Sequence, residues 1–202
     1  MKKIFASLIL AVILLGFAAC SGKGDIPKPM SKEGIAPYEL SESEKYLLRS
    51  FGMERKSHIV SFKAPEEAIS LNANAYRLNG GVWELISAGG ISISPDREPL
   101  DTLSGTFAMR LKENHAMDFF INVAGQAAYS TDEIVLSSEV IGSATNFLNE
   151  FQEIELNREI PVAIMAYDGG TTMQSFSVQN YFDTEVFEGM DLVQAVTLEF
   201  CD

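Results

Sequence analysis

Cysteine and histidine are scarce in this chain of 202 residues, which contains two of each. His58 and His115 are far apart in the sequence, and neither has metal-ligand spacing to the other or to a cysteine. The motifs H-E-x-x-H, G-x-S-x-G and S-x-x-K are absent. We therefore predict no catalytic residue and no cofactor, and we expect both histidines to be ordinary solvated residues.

Positively charged residues are also few. The chain has 15 Lys and Arg against 28 Asp and Glu, which gives a formal charge of −13. A surface of this sign repels nucleic acid and anionic lipid headgroups. We expect neither as an electrostatic partner.

The longest apolar run is too short to cross a membrane as a stable helix. Residues 4–19 are uncharged and would span about 24 Å as a helix, whereas the hydrocarbon core of a bilayer is about 30 Å thick. Lys2 and Lys3 precede the run, and it ends with two small residues, Ala18 and Ala19, before Cys20. This layout is typical of a secretory signal peptide, which we assign to residues 1–19.

The end of that run carries a second signal. Phe17-Ala18-Ala19-Cys20 resembles the lipobox of bacterial lipoproteins, although Phe17 replaces the usual leucine or other aliphatic residue. The resemblance implies cleavage before Cys20, attachment of a diacylglycerol to its thiol, and acylation of the new amino terminus with a fatty acid such as palmitate. It places the mature protein on the extracytoplasmic face of the cell membrane, attached through the lipid at Cys20.

The mature chain is predicted to be a tether followed by one domain. Residues 20–40 are rich in Gly, Pro, Ser and charge, which indicates a flexible tether. Residues 41–202 have the length and apolar content of a single domain. With Cys20 lipidated, Cys201 has no partner in the chain, so the domain must fold without a disulfide.

The periodicity within this domain is mostly that of strands. A capping-box pattern at Ser41 predicts a helix over residues 42–51, whose apolar stripe we expect to pack on the domain. Alternating segments around Asn79-Gly80 and around residues 112–115 predict two hairpins. Gly89-Gly90 is interpreted as a break, and residues 141–151 as a short helix.

Short strands, Gly-bearing turns and two apolar segments near the C-terminus favour a mainly β fold. We predict an antiparallel β-sandwich of immunoglobulin-like or jelly-roll type with one or two short helices. The alternative is a two-layer α+β domain. The last strand, which ends at Asp202, is our candidate for an exposed edge.

A polar, poorly periodic segment late in the chain carries several aromatic and amide side chains. Flat rings beside amides suit a sugar or peptide, and the alternative is that the rings face inward. The candidate ligand surface consists of Tyr167, Phe176, Tyr181, Gln174 and Asn180.

Four carboxylates near the same predicted turns are weak candidates for a calcium site, although they lack the spacing of a calcium loop. They are Asp168, Asp183, Glu185 and Asp191.

Together these features predict a lipid-anchored surface or envelope protein that acts as a binding module for an envelope protein, peptide or glycan. Two alternatives stay open. One is an envelope hydrolase that uses paired carboxylates, and the other is a structural subunit of a surface complex.

Overall fold

The computed structural model describes residues 30–94, 102–136, 140–170 and 175–202. These residues form two five-stranded antiparallel sheets. Sheet A has the strand order β1-β2-β5-β6-β7, and sheet B has the order β4-β3-β10-β9-β8. The strands are β1 (Gly34–Pro37), β2 (Ser57–Lys63), β3 (Ser70–Asn79), β4 (Val82–Ser92), β5 (Ser104–Leu111), β6 (Met117–Asn122), β7 (Gln126–Ser130), β8 (Gly142–Phe147), β9 (Glu159–Asp168) and β10 (Leu192–Cys201).

Within the described ranges, one α-helix, α1 (Glu42–Ser50), and three short 3-10 helices accompany the strands. The 3-10 helices cover Glu113–His115, Val178–Tyr181 and Glu185–Phe187.

The main core lies between the two sheets and confirms the predicted β-sandwich. Period-two alternation points Val60 and Phe62 of β2 towards Leu198 and Phe200 of β10, and all four side chains are at most 1% exposed. The rings of Phe62 and Phe200 meet edge to face, with centroids 5.3 Å apart. The fold is thus two sheets facing each other, and the α+β alternative is wrong.

Both predicted hairpins are present. β3 and β4 are joined through Gly80 and Gly81, whose φ angles of 57° and 82° suit the tight turn that pairs Asn79 with Val82. β5 and β6 are joined through the polar residues 112–116. The turn chemistry of the sequence was therefore sufficient to place these connections.

The predicted break at Gly89-Gly90 is wrong, because both glycines lie inside β4 and pair with β3. A Cβ atom on Gly89 would stand 2.6 Å from the ring of Tyr129. The missing side chain gives Tyr129 of β7 room to reach across, and its hydroxyl donates to the carbonyl of Ala73 at 2.5 Å. Gly89 thus permits a contact between sheets and does not end a strand.

The short helix predicted for residues 141–151 is also wrong. Residues 142–147 form β8, which pairs with β9 from Gly142↔Asp168 to Phe147↔Ala163. The helical spacing of apolar residues there was coincidental, since Ile141 is 71% exposed. Tertiary pairing with the strongly apolar β9 outweighs a weak local pattern.

The C-terminal strand is not an edge. β10 lies in the middle of sheet B, hydrogen-bonded to β3 on one side and to β9 on the other. Its first seven residues are all buried, which is the mark of a central strand covered on both faces.

The N-terminal boundary of the domain lies earlier than predicted. Part of the expected tether forms β1, which pairs with β2 and also makes two backbone hydrogen bonds between Ile35 and Gln152, at 2.9 and 2.8 Å. Ile35 is fully buried. Residues 34–40 of the predicted tether thus belong to the sandwich, while Cys20 and the signal peptide lie outside the described residues.

The predicted helix at residue 42 is confirmed as α1, including its capping box. The Glu44 amide donates to the Ser41 hydroxyl at 3.3 Å, and the Ser41 amide donates back to the Glu44 carboxylate at 2.6 Å. The expected burial of its apolar stripe is wrong, because Tyr46, Leu47 and Phe51 are 67%, 54% and 78% exposed.

Candidate functional site

The proposed ligand surface does not form an exposed platform. Phe176 and Tyr181 are 8% and 9% exposed, so these rings face inward. Tyr167 meets the ring of His115 edge to face at 4.4 Å. Asn180 accepts the Ser177 amide with its side-chain oxygen at 2.9 Å and so caps a 3-10 helix. Gln174 lies outside the described residues.

The buried rings instead belong to a second, smaller core on the outer face of sheet B. Tyr181 stacks on Trp83 with centroids 5.2 Å apart, and the Trp83 indole N–H donates to the Tyr181 carbonyl at 2.8 Å. Phe187 packs against Trp83 and Phe176. The described residues 175–191 thus cover this face of the sheet and close it to a ligand.

At the base of this cluster lies Glu159 of β9, which sequence reasoning missed. Its carboxylate accepts four hydrogen bonds from side chains of three other segments. The donors are Tyr76 at 2.5 Å, Tyr181 at 2.6 Å, Thr197 at 2.9 Å and Asn74 at 3.2 Å. A single glutamate at the start of an apolar strand gives no local signal for such convergence, because its partners come from distant strands.

The surroundings of Glu159 favour the ionised form of its carboxylate. Burial raises the pKa of Glu159, but the hydrogen bonds from its neighbours outweigh burial and leave the pKa below its ordinary value. Burial and the adjacent carboxylate raise the pKa values of Tyr76 and Tyr181, so both hydroxyls remain donors. Such a carboxylate does not supply the protonated acid that glycoside cleavage requires.

The candidate calcium ligands do not converge. Asp191 accepts the Gly169 amide from another turn at 2.7 Å, and Asp183 accepts the Glu185 amide within its own turn at 3.4 Å. Among the described parts of the chain, no group of three or more His, Cys, Asp or Glu side chains is placed to hold a metal ion. The calcium site at these positions stays a prediction without support in the described residues.

Neither histidine is a solvated loop residue, contrary to expectation. The ring of His58 stacks on Phe147 with centroids 4.5 Å apart, and its Nε2 is buried without a hydrogen-bond partner in the described residues. Burial lowers the pKa of His58 to about 4, so the ring is neutral at physiological pH. His115 Nδ1 lies 2.8 Å from the carbonyl oxygen of Ile134, which holds that ring against the sandwich.

A groove between α1 and the outer face of sheet A is the open feature of the molecule most suited to binding. Its apolar part has a volume of about 300 Å³. α1 contributes Leu47 and Leu48, and the sheet contributes Ile59 and Ala108, which alternate with core residues along β2 and β5. Since α1 buries none of its residues completely, these apolar side chains line a groove that the described residues leave unfilled.

A larger and more polar part of the groove, about 940 Å³, continues along the N-terminal strand. Lys32 lies at this part and is 4.2 Å from the ring centroid of Phe151. Tyr38 donates to Glu44 at 3.0 Å and lines both parts. The hydrogen bonds from Ser41 and Tyr38 lower the pKa of Glu44, so a negative charge is fixed beside the apolar lining.

The capping box thus fixes the start of α1 and the Tyr38 contact joins the helix to the end of β1, although Tyr46 and Leu47 are exposed. Partner-binding surfaces commonly combine an apolar groove with a polar rim of this kind. Within the described residues, no helix is long and apolar enough to cross a membrane. No family model, curated protein or solved structure matches the chain.

Proposed function

We propose that this protein is a lipid-anchored binding module on the extracytoplasmic face of the cell membrane. Cys20 carries the lipid, and the groove between α1 and sheet A binds a partner. The observation that supports this proposal most is the exposure of Leu47 beside an open apolar groove, on a helix fixed by a complete capping box. A domain that needed α1 only for stability would bury this side chain.

The groove suits a peptide segment of an envelope protein better than a glycan. Its apolar part is lined by leucine, isoleucine and alanine side chains. Apolar side chains of an extended peptide would fill such a groove, while the fixed carboxylate of Glu44 and the ammonium group of Lys32 would meet its polar groups. Sugar binding would instead favour exposed flat rings beside amides, and the predicted rings of that kind are buried.

The lipid anchor is tested by metabolic labelling with a clickable fatty acid. We expect the full chain and the Cys201→Ala variant to incorporate label, and the Cys20→Ala variant to incorporate none. Cys201 is the matched control because it is the second cysteine of the chain. Equal labelling of all three proteins would refute the assignment.

The groove is tested by a photo-crosslinking amino acid placed at position 47, with position 135 as the control. Both native side chains, Leu47 and Val135, are well exposed, but only Leu47 lines the groove. In cells that express the full chain, we expect a discrete adduct from position 47 and none from position 135. The same adducts from both positions, or none from position 47, would count against this site.

A further inference from the structure

The surface formed by the second half of α1 and the turn that follows it, residues 45–56, differs from the rest of this acidic protein. It contains four cations, Lys45, Arg49, Arg55 and Lys56, and one anion, Glu54. Arg55 and Lys56 are exposed, and the side chain of Arg49 is 66% exposed. A local charge of +3 thus lies on a chain whose total is −13.

Two large aromatic side chains project from the same surface. Tyr46 is 67% exposed and Phe51 is 78% exposed. Neither lines the groove, so their exposure is separate from partner binding. Aromatic rings among Lys and Arg side chains are the composition of protein surfaces that lie at the headgroup level of a bilayer.

The ion pairs on this surface do not remove its attraction for anionic lipid. Lys45 contacts Glu42 at 2.8 Å and Arg49 contacts Glu54 at 2.9 Å. Exposed pairs of this kind are weak and are easily exchanged for other partners. Near an anionic surface, the guanidinium and ammonium groups can turn to phosphate oxygens while the carboxylates stay in water.

The chain also enters the domain beside this helix. Met30 and Lys32 line the larger part of the groove together with Ser43 and Leu47 of α1. Ten residue steps separate Met30 from Cys20, which sets a maximum reach of about 35 Å. A lipid on Cys20 would therefore keep this side of the sandwich close to the bilayer.

We propose that residues 45–56 form a membrane-contacting surface, with Tyr46 and Phe51 at the headgroup level of a bilayer that contains anionic phospholipid. This inference depends on the proposed lipid anchor at Cys20. The lipid would hold the domain at the membrane, and the basic aromatic surface would set which side of the domain faces the bilayer. The groove would then open at the membrane surface, where it meets partner segments that lie close to the bilayer.

The experiment uses the full, processed chain with a fluorophore on a single engineered cysteine. Phe51→Cys is compared with Phe182→Cys, both combined with Cys201→Ser. Phe182 is the matched control because it is an exposed phenylalanine, 59% exposed, in the segment that covers sheet B. Each protein is reconstituted into phosphatidylcholine vesicles that contain phosphatidylglycerol and is exposed to spin-labelled lipid or to aqueous iodide.

We expect the spin-labelled lipid to quench the fluorophore at position 51 about threefold more strongly than the one at position 182, and iodide to show the reverse order. Equal quenching by spin-labelled lipid at the two positions would overturn the inference. Protection of position 51 from iodide without lipid quenching would also overturn it, because a protein, such as a second copy of this chain, would then cover the surface.

Fatty acid incorporation is measured on the same preparations. If the protein carries fatty acid but iodide, and not spin-labelled lipid, quenches the fluorophore at position 51, this inference is wrong and the anchor assignment stands. Protein without fatty acid would overturn the anchor, and with it the inference that depends on it.

Discussion

The hydroxyl of Tyr181 donates to Oε2 of Glu159 across 2.6 Å and joins the segment that covers sheet B to strand β9. Tyr76 and Thr197 donate to the other carboxylate oxygen from β3 and β10. The carboxylate thus connects the three central strands of sheet B to the covering segment. Even a half-buried acceptor with several donors is costly to remove, because every donor then loses its partner.

Substituting Glu159→Gln should therefore lower the free energy of unfolding by about 2 kcal/mol, since the hydrogen bonds to a charged acceptor are replaced by weaker ones. Urea denaturation at neutral pH measures the loss. The control is Glu188→Gln, because Glu188 is exposed and should tolerate the change. An unchanged midpoint for Glu159→Gln would show that the cluster does not stabilise the fold.

The buried ring of His58 should make stability depend on pH. Its pKa is about 4 in the folded protein and about 6.5 when unfolded, so the unfolded chain binds the proton first as the pH falls. Above pH 6.5 the neutral ring makes its full contribution to the free energy of unfolding. This contribution is lost progressively as the pH falls from 6.5 to 4. The total loss over this window is about 3 kcal/mol.

The measurement for this prediction is a series of urea denaturation curves between pH 4 and pH 7 on wild type and His58→Phe. Phenylalanine keeps a ring against Phe147 and cannot bind a proton. The carboxylates titrate in both proteins, so the difference between the two pH profiles isolates His58. Parallel profiles would contradict the prediction.

Adding a methyl group at Gly89 should disturb the contact between β4 and Tyr129. Gly89→Ala places a Cβ atom 2.6 Å from the Tyr129 ring, so we expect a loss of about 1–3 kcal/mol in unfolding free energy. Gly125→Ala is the matched control, since its nearest neighbour would be Ile91 at an ordinary 3.8 Å. Thermal denaturation compares them, and equal melting temperatures would refute the proposed close packing.

Polar substitutions on the exposed side of α1 should leave the fold intact. Leu47→Ser and Phe51→Ser are each expected to change the unfolding free energy by no more than about 0.5 kcal/mol, because these side chains are already in solvent. By contrast, Phe62→Ala in the core should cost about 3–5 kcal/mol. A loss above about 1 kcal/mol for either serine variant would mean that the helix face is buried in solution.

The local features of this fold were readable from the sequence. The capping box at Ser41 and Glu44 determined where α1 begins, and the turn residues at Gly80 determined the first hairpin. Each depends on atoms within a few residues of one another, so short-range pattern is sufficient. The two apolar segments that became β9 and β10 were equally clear.

The errors arose where a distant segment decided the outcome. Residues 142–147 are a strand because β9 offers them a pairing edge, and Gly89 is a strand residue because it pairs with Ala73 of β3. The position of β10 in the sheet depends on β3, which lies more than a hundred residues earlier. Local periodicity carries no information about any of these partners.

The features of the candidate site also fall into those that the sequence predicts and those that depend on tertiary structure. The sequence by itself determined the mainly β architecture and the presence of an amphipathic helix, and the envelope address at Cys20 stays a prediction. Only the tertiary structure decided that Leu47 of this helix is exposed beside a groove, that the rings of Phe176 and Tyr181 are buried, and that four donors converge on Glu159. Amphipathicity identifies a face suited to burial, but whether anything covers it depends on packing between segments that are remote in sequence.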